Sequence, residues 1–87
     1  MAHDCSAVVF AQSFYPFDAR GIAKRFRHAA IFGALSALTL GEVMRFQNDH
    51  DPIPLLAQIN QHFGDSVEIA YVSKEPGNVV IDFRIVG

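Results

Sequence analysis

The sequence is poor in cysteine, lacks tryptophan and contains no long apolar run. A single cysteine, Cys5, cannot form an intramolecular disulfide, and such cysteine usage is typical of the reducing cytoplasm. No stretch approaches the ~18 apolar residues that a membrane-spanning helix requires. No basic segment precedes the apolar residues 7–11, so we expect no secretory signal there. The sequence therefore predicts a cytoplasmic protein that has no membrane partner.

An excess of charge of one sign is also missing. Seven Lys and Arg residues against nine Asp and Glu give a net charge of -2. This balance argues against general nucleic-acid binding, which draws on a surplus of basic residues. The chain has 87 residues, of which 51% are hydrophobic and 18% are charged. It is too apolar to be disordered and too short for two independent cores, so we expect a single domain over residues 1–87.

Alternating apolar residues predict strands over 43–48, 67–72 and 79–86. The turn-forming residues 75–78, Glu-Pro-Gly-Asn, join the last two strands into an antiparallel hairpin. A further strand is expected within residues 6–18, which are rich in Val, Phe and Tyr. Pro16 lacks an N–H donor, so this strand should lie at a sheet edge or carry a bulge.

Two segments, 23–38 and 52–63, have the apolar spacing of amphipathic helices. Asp51 is a suitable N-cap for the second helix, Pro52 suits its first position and Gly64 suits its end. The predicted fold is α+β, a two-layer βαβαββ sandwich with a four-stranded mixed sheet and both helices on one face. The predicted core is Ile31, Leu35, Leu38, Met44, Phe46, Leu56, Ile59, Val67, Ile69, Ile81 and Phe83.

Residues 17–22, Phe-Asp-Ala-Arg-Gly-Ile, resemble the opening motif of the SirA/TusA-like domains. Those domains are small βαβαββ sandwiches, and some of them carry sulfur on a cysteine that lies two residues after the motif and precedes a proline. In this sequence Lys24 occupies the cysteine position and Arg25 follows it. The resemblance therefore implies the fold, but it makes persulfide carriage at this position unavailable to the chain.

A closer resemblance is to an uncharacterised bacterial branch of that fold, domain of unknown function family 2249. The similarity runs from about Phe17 to the C-terminus. The most specific motif is the string at residues 48–55, Asn-Asp-His-Asp-Pro-Ile-Pro-Leu. Further matches are Asp18-Ala19-Arg20, Arg27-His28 and Leu40-Gly41-Glu42. Members of this branch often occur with hemerythrin-like and nitrogen-oxide-handling proteins, which points to redox or metal biology and assigns no activity.

Polar residues follow the first and second predicted strands. A βαβ unit places the carboxyl ends of its two parallel strands at one sheet edge, where open α/β sheets usually bind ligands. We therefore expect the segment 20–28 to face the segment 48–51. The predicted ligand-binding residues are Arg20, Lys24, Arg27, His28, Asp49 and His50. Their basic members could bind an anion together with helix N–H groups, pair with the carboxylates of the loop, or extend into solvent.

A smaller set from the same region has the composition of a metal site that uses two histidines and carboxylates. These residues are His28, Asp49, His50 and Asp51. Simpler roles remain open for each: His28 lies on the apolar stripe and could be a half-buried core residue, Asp51 is explained as an N-cap, and the loop could be held by internal hydrogen bonds. His50 beside carboxylates could also act as a general base. No cofactor is required, and a metal ion is the only one suggested.

Three classes of function are compatible with these features. A binding or regulatory module would recognise a partner protein or a small anionic ligand at the predicted edge. A metal- or redox-linked enzyme or chaperone would use the His/Asp set, and a sulfur-relay relative would have lost its carrier cysteine. We favour the binding module over an enzyme, because no Ser, Thr or Cys nucleophile has an evident partner. The outer sheet face carries Val72, Val80 and Val86, which could form a homodimer patch or be ordinary scattered apolar residues on a wet face.

Overall fold

Four strands and two helices follow one another in the order that the sequence predicts. The structure, a computed structural model, describes residues 14–87. Its elements are β1 (Phe14–Asp18), α1 (Lys24–Ala37), β2 (Val43–Asn48), α2 (Ile53–Phe63), β3 (Val67–Glu75) and β4 (Asn78–Ile85). Short 3-10 turns at Ala19–Gly21 and Gly64–Ser66 precede α1 and β3. Cys5 and the earlier part of the predicted first strand lie outside the described residues.

The strands form one mixed sheet in the order β1-β2-β4-β3. β1 runs parallel to β2, whereas β4 is antiparallel to both β2 and β3. Both helices pack on the same face of the sheet, because Ile31 of α1 and Ile59 of α2 belong to one core that also contains Phe46 and Ile81. The predicted α+β two-layer fold is therefore confirmed, and so is the edge position of the strand that contains Pro16.

The core lies between the helices and the sheet. All residues of the predicted core are buried there except Leu38, Leu56 and Ile69. These three are partly buried and pack against the core. The buried members on the strands alternate, as in Phe46 of β2 and Ile81 and Phe83 of β4, which are at most 1% exposed. Every second side chain along these strands therefore packs against the helices, and the opposite face of the sheet is more polar.

The start of α2 differs from the prediction. The helix begins at Ile53 and its N-cap is Pro52, which makes no side-chain capping bond, so Asp51 is not the cap. Asp51 lies one residue too early for that role, and its carboxylate accepts a hydrogen bond from the Tyr71 hydroxyl instead. The predicted end is confirmed: Gly64 has a φ of 59°, a backbone conformation that glycine adopts without strain.

β3 contains an irregularity that the sequence pattern does not reveal. Tyr71 pairs with Ile81 and Ser73 with Val80, so the register shifts at Val72, which is 53% exposed. The bulge moves Lys74 onto the helix side of the sheet, opposite Val79. The Lys74 ammonium consequently lies 4.3 Å from the centroid of the Tyr71 ring.

The outer sheet face is held by ionic and cation–π contacts. Arg45 of β2 pairs with Asp82 of β4 at 2.8 Å, and its guanidinium lies 5.1 Å from the centroid of the Phe14 ring. Val80 is half-buried on this face, and Val86 is exposed. Dimerisation through this face stays a prediction. Neither helix within residues 14–87 is long and apolar enough to cross a membrane.

The strand register predicts a large loss of stability for Ile81→Ala. Ile81 is fully buried at the centre of the sheet, so its truncation should lower the free energy of unfolding by ~2–5 kcal/mol in urea denaturation. Val72→Ala is a matched control at an exposed position, where we expect a change within about 0.5 kcal/mol. Equal losses for the two variants would contradict the register.

Candidate functional site

The carboxyl ends of β1 and β2 lie at the same edge of the sheet, because the two strands are parallel neighbours. The turn Ala19–Gly21 and α1 follow β1, and residues 49–52 and α2 follow β2. Contacts join the two segments: the Arg27 guanidinium lies 3.4 Å from the Asn48 side-chain oxygen and 4.0 Å from an Asp49 carboxylate oxygen. The structure thus brings together the two segments that topology predicts to face each other.

Arg27 of α1 is fixed by three hydrogen bonds. Its Nε donates to the carbonyl oxygen of Ile22 at 2.7 Å, and its terminal nitrogens donate to the carbonyl oxygen of Arg20 at 3.5 Å and to Asn48 Oδ1 at 3.4 Å. The Arg27 side chain is only 16% exposed. Because these partners belong to the turn after β1 and to the end of β2, Arg27 ties both strand ends to α1.

Asn48 is the buried polar residue of this edge, with 4% of its surface exposed. Its Oδ1 accepts from Arg27, and its Nδ2 donates to the backbone carbonyl of His50 at 3.1 Å. Both ends of the amide are therefore satisfied, as a buried polar group requires. Asn48 shapes the following loop, a role that was not predicted although this residue begins the 48–55 motif.

Asp49 and His50 form a pair on the exposed side of the loop. The His50 Nδ1 lies 2.6 Å from an Asp49 carboxylate oxygen. The hydrogen bond from His50, with the charges of His50 and Arg27, holds the pKa of Asp49 below its usual range. The His50 side chain remains 62% exposed, so its ring is accessible to a ligand.

The other acidic residues of the region have partners of their own. Asp18 accepts two hydrogen bonds from the Arg20 guanidinium, at 2.9 and 3.0 Å, and a third from the Arg20 backbone N–H. These bonds lower the pKa of Asp18. Arg20 is therefore engaged with its neighbour on the chain, and of the two arginines expected near the loop carboxylates it is Arg27 that lies 4.0 Å from Asp49.

His28 lies in α1 as predicted, but it is exposed rather than half-buried in the core. One face of its imidazole stacks on the Phe32 ring, with 4.3 Å between centroids and 8° between planes. An open cleft adjoins this helical turn and leaves the rest of the ring uncovered. The expectation of a core histidine was wrong for this reason.

A cleft of about 310 Å³ opens between α1, the end of β2 and the start of α2. We call it the basic cleft, and its lining residues are Lys24, Arg27, His28, Ile31, Phe46, Asn48, His50, Pro52, Pro54, Leu55 and Gln58. All ionisable residues of this lining are basic. Four of the six predicted ligand-binding residues line it, whereas Arg20 and Asp49 lie beside it. Pro54, Leu55 and Gln58 were not predicted as site residues, because nothing in their spacing distinguishes them from residues on an ordinary helix surface.

The predicted metal ligands do not form one group within residues 14–87. No three His, Cys, Asp or Glu side chains in that range are arranged to hold a metal ion. Asp51 contacts Tyr71, while Asp49 contacts His50 and Arg27. The carboxylates that the sequence pattern assigned to a metal are thus used in contacts within the protein.

The start of α1 adds to the positive character of the cleft. The N-cap residue Ala23 provides no side-chain hydrogen bond, and the first turn of α1 contains no acidic residue. First-turn N–H groups without a side-chain acceptor, together with the helix dipole, favour negative charge at this end. Lys24, the first residue of α1, has no ion-pair partner among the described residues. An anion in the basic cleft would meet this unpaired ammonium group.

Tyr71 should ionise only at strongly alkaline pH. The hydrogen bond to Asp51, at 2.5 Å, together with burial and the charge of Asp51, raises the pKa of Tyr71 to about 12. In a Tyr15→Phe variant Tyr71 is the only tyrosine. Its phenolate absorbance should rise with a midpoint at about 12 in the folded protein and about 10 in the unfolded chain. Since the folded pKa is the higher one, the associated stability is complete below pH about 10 and is lost toward pH 12.

The control for this titration is Asp51→Asn in the same Tyr15→Phe background. An amide has no negative charge to oppose phenolate formation, so the midpoint of Tyr71 should move toward about 10. A folded Tyr15→Phe protein that already titrates at about 10 would show that the Tyr71–Asp51 bond is absent in solution.

Comparison with known proteins identifies one family for this chain. Residues 16–85 match the family described as "Uncharacterized conserved protein (DUF2249)". No curated protein and no solved structure matches the chain. The family match extends from the middle of β1 to the end of β4, and it includes every residue that lines the basic cleft. The chain therefore belongs to the DUF2249 family.

Proposed function

We propose that this protein is a binding module without catalytic activity, and that it recognises a small anionic ligand in the basic cleft. One observation carries the proposal: a chain with a net charge of -2 lines its cleft with Lys24, Arg27, His28 and His50 and with no carboxylate. A concave site whose ionisable groups are all basic attracts anions and raises their local concentration.

The acidic residues near the cleft support this proposal by their pairing. Asp18 is bound by Arg20, Asp51 by Tyr71, and Asp49 by His50. These contacts hold the carboxylates outside the lining and leave Lys24 free of a counter-charge within residues 14–87. A cation in that position can form a charge-assisted hydrogen bond with an incoming anion.

A small ligand is favoured over a partner protein by the shape of the site. The basic groups converge on a concave cleft of about 310 Å³ rather than spreading over a flat face. This volume falls at the lower end of the range for small-molecule sites. Recognition of a protein would instead require a contact surface of ~800 Å² on this chain, most of it outside the cleft.

The relationship to the SirA/TusA-like domains is part of the same proposal. It is supported by the βαβαββ order, and the position of the family's cysteine, here Lys24, is the first residue of α1. Where those domains have the sulfur-carrying cysteine, this chain has an ammonium group at a helix N-terminus. We propose that residue 24 still takes part in ligand binding, but that it binds the ligand through its charge and not through a covalent bond.

The proposal predicts that Lys24→Ala weakens anion binding. Phenyl phosphate is a suitable probe, and its dissociation constant can be measured from amide chemical shifts at low ionic strength. Loss of one charge-assisted hydrogen bond of about 1.5–3 kcal/mol corresponds to a weakening of roughly 10- to 100-fold. Lys74→Ala is the matched control, since Lys74 contacts Tyr71 and does not line the cleft. Equal affinities for the two variants would contradict the proposal.

His50→Ala separates a ligand-binding role from a structural one. His50 is 62% exposed, so as a ligand-binding residue its loss should weaken phenyl phosphate binding and change the free energy of unfolding by no more than about 0.5 kcal/mol. If the ring instead serves the loop, stability should fall by ~1 kcal/mol or more through the lost hydrogen bond, with no change in binding.

A further inference from the structure

The lining of the basic cleft divides into a basic half and an apolar half. The apolar half restricts the class of ligand more than the basic half does. The apolar half consists of Ile31, Phe46, Pro52, Pro54 and Leu55. Of these residues, Pro54 and Leu55 present accessible apolar surface, while Ile31, Phe46 and Pro52 are buried behind them. Inorganic phosphate or another bare anion would engage the basic half and leave the surface of Pro54 and Leu55 in contact with water. This inference rests on the proposed function and specifies the class of ligand.

The apolar half is preformed. Ile31 and Phe46 are each 1% exposed and belong to the protein core, so their positions are set by the fold. Pro52 and Pro54 have fixed φ angles and no backbone N–H. The wall that they form therefore offers no backbone donors to a ligand, and a rigid apolar surface of this kind favours an apolar group that leaves water.

The volume of the cleft limits the size of that group. About 310 Å³ corresponds to roughly ten water molecules at their share of liquid volume. A single aromatic ring or a short branched chain with its head group fits such a space. A dinucleotide or an extended acyl chain does not fit, and most of its surface would remain outside.

The hydrogen bonds of Arg27 indicate where the anionic head lies. Arg27 already donates to Ile22, Arg20 and Asn48, so it contributes charge more than free donors. Lys24 has no ion-pair partner among the described residues, and it lines the same cleft as His28, one helical turn further along α1. The head is therefore bound at this end, and the body extends toward Leu55.

We propose that the ligand of the basic cleft is a compact organic anion, with one carboxylate or phosphate head bound at Lys24 and one apolar body, of the size of a single ring, packed against Pro54 and Leu55. The apolar body contributes to affinity in addition to the charge. The site therefore selects organic acids or phosphate esters over inorganic anions.

Two matched pairs of probes test this inference in the full chain by calorimetry or by amide chemical shifts. Benzoate is compared with acetate, and phenyl phosphate with inorganic phosphate, so that within each pair the head is constant and the body differs. We expect the ring to strengthen binding at least tenfold in the pair with the preferred head, and the tighter of benzoate and phenyl phosphate identifies that head. Pro54→Ala should weaken the ring-bearing probe several-fold and leave its ringless partner unchanged.

Ile53→Ala is the matched control, because Ile53 lies in the same turn of α2 and does not line the cleft. Pro54 is exposed, so its replacement should leave the fold intact, which the amide spectrum verifies. Equal affinities within both pairs, with Lys24→Ala still weakening them, would overturn the ligand class and leave the anion site standing. Absence of saturable binding by all four probes would overturn the proposed function as well.

Discussion

The hydrogen bonds of one arginine hold together the edge of the sheet at which the basic cleft opens. Arg27 is a helical residue, yet its guanidinium bonds to the turn after β1 and to the last residue of β2. The parallel pair of strands delivers two chain segments to one edge, but strand pairing does not position α1 against the loop that follows β2. Arg27 of α1 bonds to the ends of both segments, and Asn48 in turn bonds to the backbone of His50 in that loop.

The charge distribution follows from local pairing rather than from composition. The chain is slightly acidic overall, but the carboxylates near the edge are engaged by an arginine, a tyrosine and a histidine in their vicinity. Lys24 has no such partner within residues 14–87. The result is a basic concavity in a molecule of opposite net sign, which counting charged residues along the sequence could not show.

The sequence predicted the elements that rest on periodicity and on short-range turn chemistry. The stripes of α1 and α2, the alternation in β2 and β4 and the glycine at the end of α2 all have local causes, and the structure confirms them. The parallel crossover then predicted the meeting of the Arg27 and Asp49 segments. The role of Asp51 was predicted wrongly because a capping rule considers only the next few residues, whereas Tyr71, its partner, is 20 positions away. The alternative role of His28 as a half-buried core residue was wrong because the apolar stripe does not reveal where a helix borders open space.

The bulge in β3 affects whether the edge of the sheet can pair with a strand of another molecule. Among residues 14–87, β3 is a nine-residue strand at an edge of the sheet, and an edge of that length can present unpaired backbone groups to another strand. The register shift at Val72 interrupts that row, and it turns the charged Lys74 toward the helix side. A strand added from another molecule would have to match an irregular backbone and cover an ammonium group. The same distortion that places Lys74 over Tyr71 therefore makes this edge a poor template for pairing with a strand of another molecule.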